Sequence, residues 1–492
     1  MSAETWPPGV AIPTVDRRAV AFTALVGVLF DRALASGVIT VTGAVLVLVA
    51  GAGLVLSRRL ETTQSRVCAA AAPVFGLFLA VRASDWLIPL DILVAAGLLV
   101  LAATLARGGD LFDIPLGGLL MRGATAVLRG LSVPLSWIGW MSWARTRWAV
   151  GERAERAVAA LRGLAIAVPV MLVLIALLAS GDAVFRSLLD NPVSESWLLH
   201  GVVVSIGAYG AAGLLHATGQ PPRAVVDRRW LGPIEAGVVL GGLVAVYAVF
   251  AVAQLVAISS SGRAVLDTAG LTYAEYARTG FFQLVAAAGI TLVTLLVVRS
   301  GVTEVSRRLV VLAELGVALT LVAVVVSLRR LDLYEDAYGL TMLRLYVTVF
   351  AWLLAALLAL LGVWAAGMGR RDWWTGAALV TGLAVLLGLN VANPEAFVAR
   401  HNLARARTGA EVDAAYLASL STDALPALER ALATLPTAVA DEVRAAVCSA
   451  YGATSGGWPS WNRSLREAER VRDRLGCPAH PQLSAQPAPA YG

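Results

Sequence analysis

The residue types that most often carry catalysis or bind metal ions are few in this sequence and lie far apart. Its histidines are His200, His216, His401 and His480. His200 and His216 fall near opposite ends of one predicted helix, too far apart to share a metal ion, and HEXXH, CXXC and phosphate-binding-loop motifs are absent. We therefore predict no metal, no cofactor and no catalytic residue. The weakest hypothesis is a membrane-embedded transferase that uses Asp182 or Asp336 as its base.

Charged side chains in or beside the predicted membrane helices are the next candidates for chemistry. They are Asp31, Arg32, Asp85, Glu235, Glu314 and Arg344. A charge inside a bilayer costs free energy unless it pairs or reaches the lipid headgroups. One interpretation is a polar pathway or ligand pocket between helices. The other, which is more common, is a set of pairs and headgroup contacts that stabilise the helix bundle.

Two of the three cysteines lie in the polar C-terminal tail. Cys448 and Cys477 can form a disulfide if this tail faces an oxidising compartment, and they otherwise remain free thiols. Cys68 falls within an apolar segment, where we expect it to pack as a small hydrophobic side chain.

The composition is typical of a membrane protein. Of the 492 residues, 58% are hydrophobic and only 15% are charged, whereas soluble domains carry about 25% charged residues. The apolar residues occur in blocks of about 20, the length of a helix that crosses a bilayer. The net charge is +6, and its arginines are scattered over the ends of these blocks rather than gathered in a nucleic-acid-binding patch. We therefore predict contact with the lipid bilayer and no nucleic-acid partner.

The apolar blocks predict an all-α integral membrane protein with about eleven transmembrane helices, N-in and C-out, and a soluble helical C-terminal tail. The predicted spans are 19–35, 38–56, 67–83, 86–106, 162–179, 197–217, 234–258, 281–298, 309–328, 343–366 and 373–391. Arginines concentrate in the segments that this arrangement places in the cytoplasm, as the positive-inside rule requires. We therefore expect a multi-pass protein of the cell membrane.

The spans divide the chain into successive segments. These are a cytoplasmic N-terminal lead (1–18), four transmembrane helices (19–106), a cytoplasmic segment with an interfacial amphipathic helix (107–161), seven transmembrane helices (162–391), an extracytoplasmic helical tail (392–478) and a disordered C-terminus (479–492). The interfacial helix is inferred at 116–148, where arginines and tryptophans favour the headgroup level. The alternative is a twelfth span there, which would invert every later loop and place arginine-rich loops outside.

Four short motifs occur in order along the second half of the chain. They are SGDAVFRSLL (180–189), LTYAEYARTGFFQL (271–284), YGLTMLRLYV (338–347) and NPEAFVARHNLAR (393–405). Together they resemble a family of bacterial polytopic membrane proteins defined only as a domain of unknown function, the 4153/4173 group. The resemblance covers roughly 160–430 and implies an integral membrane protein. Some relatives are loosely labelled as sensor or two-component membrane parts, but no kinase or receiver signature is present here.

In the predicted topology these motifs lie on one side of the membrane, in or beside outer loops and at the start of the outer tail. Their side chains suggest a composite ligand-binding site made of Asp182, Tyr273, Tyr276, Arg278, Tyr338, Arg344, Arg400 and Asn402. The arginines could hold an anionic or lipid ligand through paired hydrogen bonds. The tyrosines could equally be anchors at the membrane interface.

Two functions fit these observations. The first is a non-enzymatic protein of envelope sensing or assembly, in which the outer tail is a contact module. The second is a transporter or lipid flippase that uses the charges within the spans. Many transporters contain inverted repeats, and no repeat is evident in this sequence, so the first function is preferred. The sequence does not identify a protein partner.

Overall fold

A computed structural model describes most of the chain. The described residues are 17–37, 40–131, 195–219, 229–258, 281–367, 372–407, 412–451 and 457–478. Within these stretches the regular structure is helical, apart from an isolated β-bridge between Leu231 and Val302. The predicted all-α fold class is therefore confirmed for the described residues. The predicted span at 162–179 lies outside them.

The apolar segments form the first eleven described helices. They are α1 (Arg17–Ala35), α2 (Val41–Leu56), α3 (Thr63–Val81), α4 (Leu87–Thr104), α5 (Leu116–Leu131), α6 (Glu195–Thr218), α7 (Pro233–Ile258), α8 (Phe281–Gly301), α9 (Arg307–Tyr338), α10 (Met342–Ala365) and α11 (Trp373–Ala392). Within the described residues, eight helices, α3, α4 and α6 to α11, are long and apolar enough to cross a bilayer. Aliphatic side chains such as Val249 and Leu255 are exposed on them, as expected for surfaces that face lipid. The chain is a multi-pass membrane protein.

Helix α9 is longer than the predicted span at 309–328. It begins after Ser306, whose hydroxyl accepts a hydrogen bond from the Leu309 N–H at 3.4 Å. It ends only at Tyr338, where Gly339 takes a left-handed φ of +79°. The acidic residues that follow the predicted span therefore lie on the last turns of the helix rather than in a loop.

The chain forms two compact units. The first consists of the described residues within 1–77, 95–108 and 121–222, and the second of the described residues within 78–94, 109–120 and 223–492. In the first unit, α1 and α6 approach closely at two glycines. A Cβ on Gly27 would lie 2.5 Å from the Val204 carbonyl oxygen, and one on Gly207 would lie 2.5 Å from Phe30 Cβ. Small residues at such crossings let helix backbones come close together.

The same pair of helices holds a polar contact. His200 Nδ1 lies 2.6 Å from Asp31 Oδ1, and the Asp31 side chain is buried. Asp31 is thus engaged in an interhelical pair, which favours the stabilising interpretation of this charge over a ligand pocket.

The second unit contains α7 to α11, which share one apolar core. Its buried side chains include Leu240, Leu292, Val324, Leu358 and Trp374. These contacts hold the helices together while aliphatic side chains remain on the outer faces.

Five further helices follow the last apolar helix in the described residues. The C-terminal module spans residues 394–478 and consists of α12 (Pro394–Ala406), α13 (Ala414–Ser419), α14 (Leu425–Leu432), α15 (Thr437–Ala450) and α16 (Arg463–Leu475), with 3-10 turns at Thr422–Ala424 and Trp458–Ser460. Side chains of Asn393, Asp413 and Asn462 cap the first turns of α12, α13 and α16. The module has an apolar cluster of its own, which Leu340 and Met342 of the α9–α10 turn also join.

Candidate functional site

Half of the side chains predicted to form an outer ligand site are described by the structure. Asp182, Tyr273, Tyr276 and Arg278 lie outside the described residues. Tyr338 and Arg344 lie at the α9–α10 turn, and Arg400 and Asn402 lie on α12. Three of these four have contacts at or near the same turn, and the fourth, Arg400, is exposed.

Arg344 is engaged at the end of α9. Its guanidinium lies 4.1 Å from the centroid of the Tyr334 ring and donates a hydrogen bond to the Gly339 carbonyl. The partial negative charge at a helix C-terminus and the face of an aromatic ring both favour a cation. Tyr338 packs against Tyr334 with ring centroids 4.9 Å apart. A ligand anion would have to compete with these contacts for Arg344.

Asn402 ties the C-terminal module to the α9–α10 turn. Its Nδ2 donates to the Leu340 carbonyl at 2.7 Å, and its Oδ1 accepts from the Leu340 N–H at 2.9 Å. Nearby, the Tyr416 hydroxyl accepts from the Met342 N–H at 2.7 Å. Asn402 therefore completes the hydrogen bonding of a turn that would otherwise expose its backbone.

The module also bonds to the turn between α3 and α4. These contacts, together with those of Asn402 and Tyr416, are called the junction. Asn462 is fully buried, and its Nδ2 donates to the carbonyls of Leu79 and Arg82 at 3.0 and 2.9 Å. Asp423 Oδ2 accepts from the Ala83 N–H at 3.0 Å. The last carbonyls of a helix have no partners within it, so Asn462 satisfies the end of α3, while Asp423 satisfies a backbone N–H of the turn that follows.

Arg82 extends this junction to the end of α11. Its Nε donates to the Asn390 carbonyl at 2.9 Å, and its Nη2 donates to the Val391 carbonyl at 3.3 Å. A guanidinium in this position is favoured by the helix dipole. Asn393 follows with a left-handed φ of +55°, and its Nδ2 donates to the Asp423 carbonyl at 3.0 Å. The α3–α4 turn and the module thus both contact the end of α11.

A polar pair lies beside this junction, within the membrane helices. Asp91 of α4 and Asn390 of α11 are both 0% exposed. Asn390 Nδ2 donates to Asp91 Oδ1 at 2.7 Å and to the Leu386 carbonyl at 3.1 Å. Among the described residues, Asp91 Oδ2 and Asn390 Oδ1 have no hydrogen-bond partner. Ionisable residues are rare inside membrane helices because they cost free energy, so Asp91 is a functional candidate.

Two more carboxyl groups are buried on the module side of the junction. Glu395, in the first turn of α12, is 3% exposed and accepts a hydrogen bond from the Ser421 N–H; Asp423 is 6% exposed. Burial raises the pKa of both carboxyls above their usual values, although hydrogen bonds from Ser421 and Ser464 oppose the shift. The junction therefore contains acids that hold protons more readily than exposed acids do.

We expect these acids to make the module less stable as the pH rises. A carboxyl whose pKa is raised by folding binds more protons in the folded state than in the unfolded state, so stability falls with rising pH. For Glu395 the fall begins near the usual value of 4.5 and ends above the raised folded value, and for Asp423 it begins near 3.8. Thermal unfolding measured upward from about pH 4 will show this as a falling Tm.

The variant Glu395→Gln tests whether Glu395 contributes to the pH dependence of Tm, because glutamine does not titrate. We expect a shallower fall of Tm with pH in this variant than in the wild-type protein. Glu442→Gln, at an exposed position of α15, is the matched control and should keep the wild-type slope. Equal slopes in the wild type and Glu395→Gln would show that Glu395 does not contribute to the fall and would leave Asp423 as its source.

The structure also contains a small apolar cavity between α7, α8, α9 and α10. Its lining is aliphatic apart from Arg299, and its volume is about 30 Å³. Pockets that bind organic ligands usually measure about 300–1,000 Å³, so this cavity is too small for one. Among the described residues, no three histidine, cysteine, aspartate or glutamate side chains are grouped to hold a metal ion. The junction is the better candidate site.

Comparison with known protein families gives a match over most of the chain. The family model described as "Domain of unknown function (DUF4153)" matches residues 68–431. The chain belongs to the DUF4153 family. This confirms the resemblance inferred from the four motifs. No curated protein and no solved structure matches the chain.

The DUF4153 region includes the buried acids of the junction, which the sequence analysis missed. Asp91 and Asn390 could have been recognised from the sequence. Asp91 is the one charged residue in the apolar stretch 87–104, and Asn390 is the one amide in 373–392. Asp423 carried no such signal, because an acid at the start of a helical turn is an ordinary cap residue. Asn462, which lies beyond the DUF4153 match, is also an ordinary cap in sequence.

The tail cysteines also lie beyond the DUF4153 match. Cys448 of α15 and Cys477, which follows α16, form a disulfide with Cα atoms 5.2 Å apart, inside the usual range. Arg472 is buried and donates to the carbonyls of Cys448 and Pro478 at 3.2 and 3.3 Å. The disulfide and this arginine connect the last two helices of the module. Cys68 is a buried free thiol.

Proposed function

We propose that this protein is a non-enzymatic protein of the cell membrane that acts in sensing or assembly of the cell envelope, with the C-terminal module as its contact surface. The observation that carries the proposal is the junction. Buried and partly buried hydrogen bonds fix the module to the ends of α3 and α11 and to the α9–α10 turn. Networks of hydrogen-bonded polar side chains make a contact rigid, so the module presents surfaces in a fixed position.

The same bonds link the module to the membrane helices. Asn462 holds the carbonyl of Arg82, and Arg82 holds the carbonyl of Asn390. Leaving a buried polar group without its partner costs about 1–3 kcal/mol, so the module does not move unless α3 and α11 move with it. A molecule that binds the module can therefore bias the arrangement of these helices, as a sensor requires.

We propose eleven spans with the N-terminus inside and the module outside. The distribution of arginines supports the orientation. The junction supports the count, because the α3–α4 and α9–α10 turns contact the same module and so share one side of the membrane. The predicted spans between these turns are even in number: 86–106, 162–179, 197–217, 234–258, 281–298 and 309–328. A further crossing at 116–148 would put the two turns on opposite sides.

Two features of the module favour an outer position at the membrane surface. Disulfides such as Cys448–Cys477 persist in oxidising compartments. Trp458 and Trp461, 74% and 40% exposed, lie four residues and one residue before Asn462, which is bonded to the end of α3. Tryptophan is favoured at the level of the lipid headgroups, which supports a position of the module at the membrane surface.

Photocrosslinking in living cells tests the contact surface. A photoreactive amino acid at Arg444, exposed on α15, should crosslink to a discrete envelope protein. The same amino acid at Val249, exposed on the apolar helix α7, should give only lipid adducts. If no exposed position on α15 or α16 yields a protein adduct above the Val249 control, the module is not a contact surface.

Transport, including lipid flipping, is the second candidate function. The Asp91–Asn390 pair favours it, because buried ionisable groups between membrane helices often mark substrate or ion pathways. Purified protein in lipid vesicles with an imposed pH gradient separates the two functions. Proton flux above that of empty vesicles would favour transport, and flux equal to theirs would favour sensing or assembly.

A further inference from the structure

Within the described part of the chain, Asp91 and Asn390 leave two buried oxygen atoms without a hydrogen-bond donor, although every donor of the pair is in use. The Asn390 amide has two N–H groups, of which one is directed at Asp91 Oδ1 and the other at the Leu386 carbonyl. An ionised Asp91 would have no proton to donate. Asp91 Oδ2 and Asn390 Oδ1 consequently have no donor among the described residues.

A single proton would supply the missing donor. When Asp91 Oδ2 carries a proton, the neutral acid can face the Asn390 amide through two hydrogen bonds: Nδ2–H donates to Asp91 Oδ1, and Oδ2–H donates to Asn390 Oδ1. This removes the charge from a fully buried position and satisfies both oxygens at once. We propose that Asp91 is a proton-binding site within the membrane helices and holds its proton in the folded state.

The charged and titratable groups around Asp91 come from three other parts of the fold. Arg82 of the α3–α4 turn and Tyr346 of α10 interact electrostatically with the Asp91 carboxyl. Arg82 directs its Nε and Nη2 at the carbonyls that end α11 rather than at Asp91. On the module, Asp423 interacts with both Arg82 and Tyr346, and Glu395 interacts with Tyr346. A neutral Asp91 is compatible with this arrangement, because the nearby cation is committed elsewhere.

Release of the proton would act directly on the junction. An anionic Asp91 would attract the Arg82 guanidinium, which now holds the end of α11. Asn390 lies in the last turn of α11, just before Asn393, the cap of α12. Proton binding at Asp91 and docking of the module are therefore linked.

Two substitutions distinguish a bound proton from a charge that the fold needs. Asparagine in Asp91→Asn does not ionise but can make the same pair of hydrogen bonds with Asn390, so we expect the Tm of the purified full-length protein to stay within about 2 °C of the wild type. Asp91→Leu leaves the Asn390 amide unsatisfied and should lower Tm by about 5 °C or more. Asp85→Asn, at an exposed acid in the neighbouring turn, is the matched control.

Infrared spectroscopy detects the proton itself, because a protonated carboxyl has a C=O stretching band that a carboxylate lacks. At neutral pH we expect this band in the wild type and in Asp85→Asn at equal intensity. In Asp91→Asn its intensity should be lower. Identical bands in the wild type and Asp91→Asn, or an Asp91→Asn variant as unstable as Asp91→Leu, would overturn the proposal. The proposal would also be overturned if sodium chloride raised the Tm of the wild type, choline chloride did not, and Asp91→Asn lost the effect. Asp91 would then be an ionised carboxylate that binds sodium.

Discussion

The Asn462→Ala variant will lose about 3–7 kcal/mol of the free energy of unfolding of the C-terminal module. Asn462 caps α16 by accepting from the Leu465 N–H at 3.2 Å, and it donates to the carbonyls of the buried Leu79 and the half-buried Arg82. Loss of a cap costs about 1 kcal/mol, and each buried carbonyl without a donor costs about 1–3 kcal/mol more. Most of the expected loss therefore comes from the junction rather than from the cap.

Denaturant-induced unfolding in detergent measures this loss, and limited proteolysis reports whether the module remains docked. Asp413→Ala is the matched control, since Asp413 caps α13 through the Tyr416 N–H at 2.8 Å from an exposed position. Its expected cost is about 1 kcal/mol, with no change in docking. If the two variants lose equal stability and are cut at equal rates, the bonds from Asn462 to α3 do not hold the module.

Removing the disulfide by Cys448→Ser together with Cys477→Ser will cost about 3–4 kcal/mol. The two cysteines are 29 positions apart, and closing a loop of this length restricts the unfolded chain by about that free energy. Arg472 holds the carbonyls of Cys448 and Pro478 independently of the sulfur atoms. The double variant should therefore fold and dock when cold but unfold at a lower temperature.

Mass spectrometry of the non-reduced protein and unfolding with and without reductant check this expectation. The Tm of the wild type should fall on reduction, and that of the double variant should not change. Cys68→Ala is the control, because it removes the free buried thiol and leaves the disulfide in place, so reduction should affect it as it does the wild type. Two alkylatable tail thiols in protein taken directly from the cell membrane would contradict the bond.

The membrane helices could be predicted because lipid selects for length and hydrophobicity, and both can be read along the chain. The end of α9 shows what such a prediction leaves out. Polar residues after position 328 mark the end of the apolar part, but the helix continues until a residue that stops it, Gly339. A helix end needs its own signal, and hydrophobicity does not supply one.

The junction could not be predicted in the same way. Asp91 bonds to Asn390, and Leu79 bonds to Asn462, across hundreds of intervening residues. No local pattern encodes these pairings, and side chains that make them look like ordinary caps or isolated polar residues. Arg344 is the opposite case, because its carbonyl partner lies only a turn away, at the end of α9. A cation next to a helix C-terminus is a local signal that sequence can carry.

The α9–α10 turn is completed by residues that the ribosome adds much later. Asn402 bonds to both backbone groups of Leu340, and Arg405 Nη1 donates to the Glu335 carbonyl at 3.1 Å. A Cβ on Gly339 would lie 2.9 Å from Arg405 Nη1 and 3.0 Å from Asn402 Oδ1, so glycine admits both side chains. During synthesis, α9 and α10 enter the bilayer before Asn402 and Arg405 can form these hydrogen bonds. A chain terminated before residue 402 would offer an unfinished turn to quality-control proteases, although its membrane helices are already made.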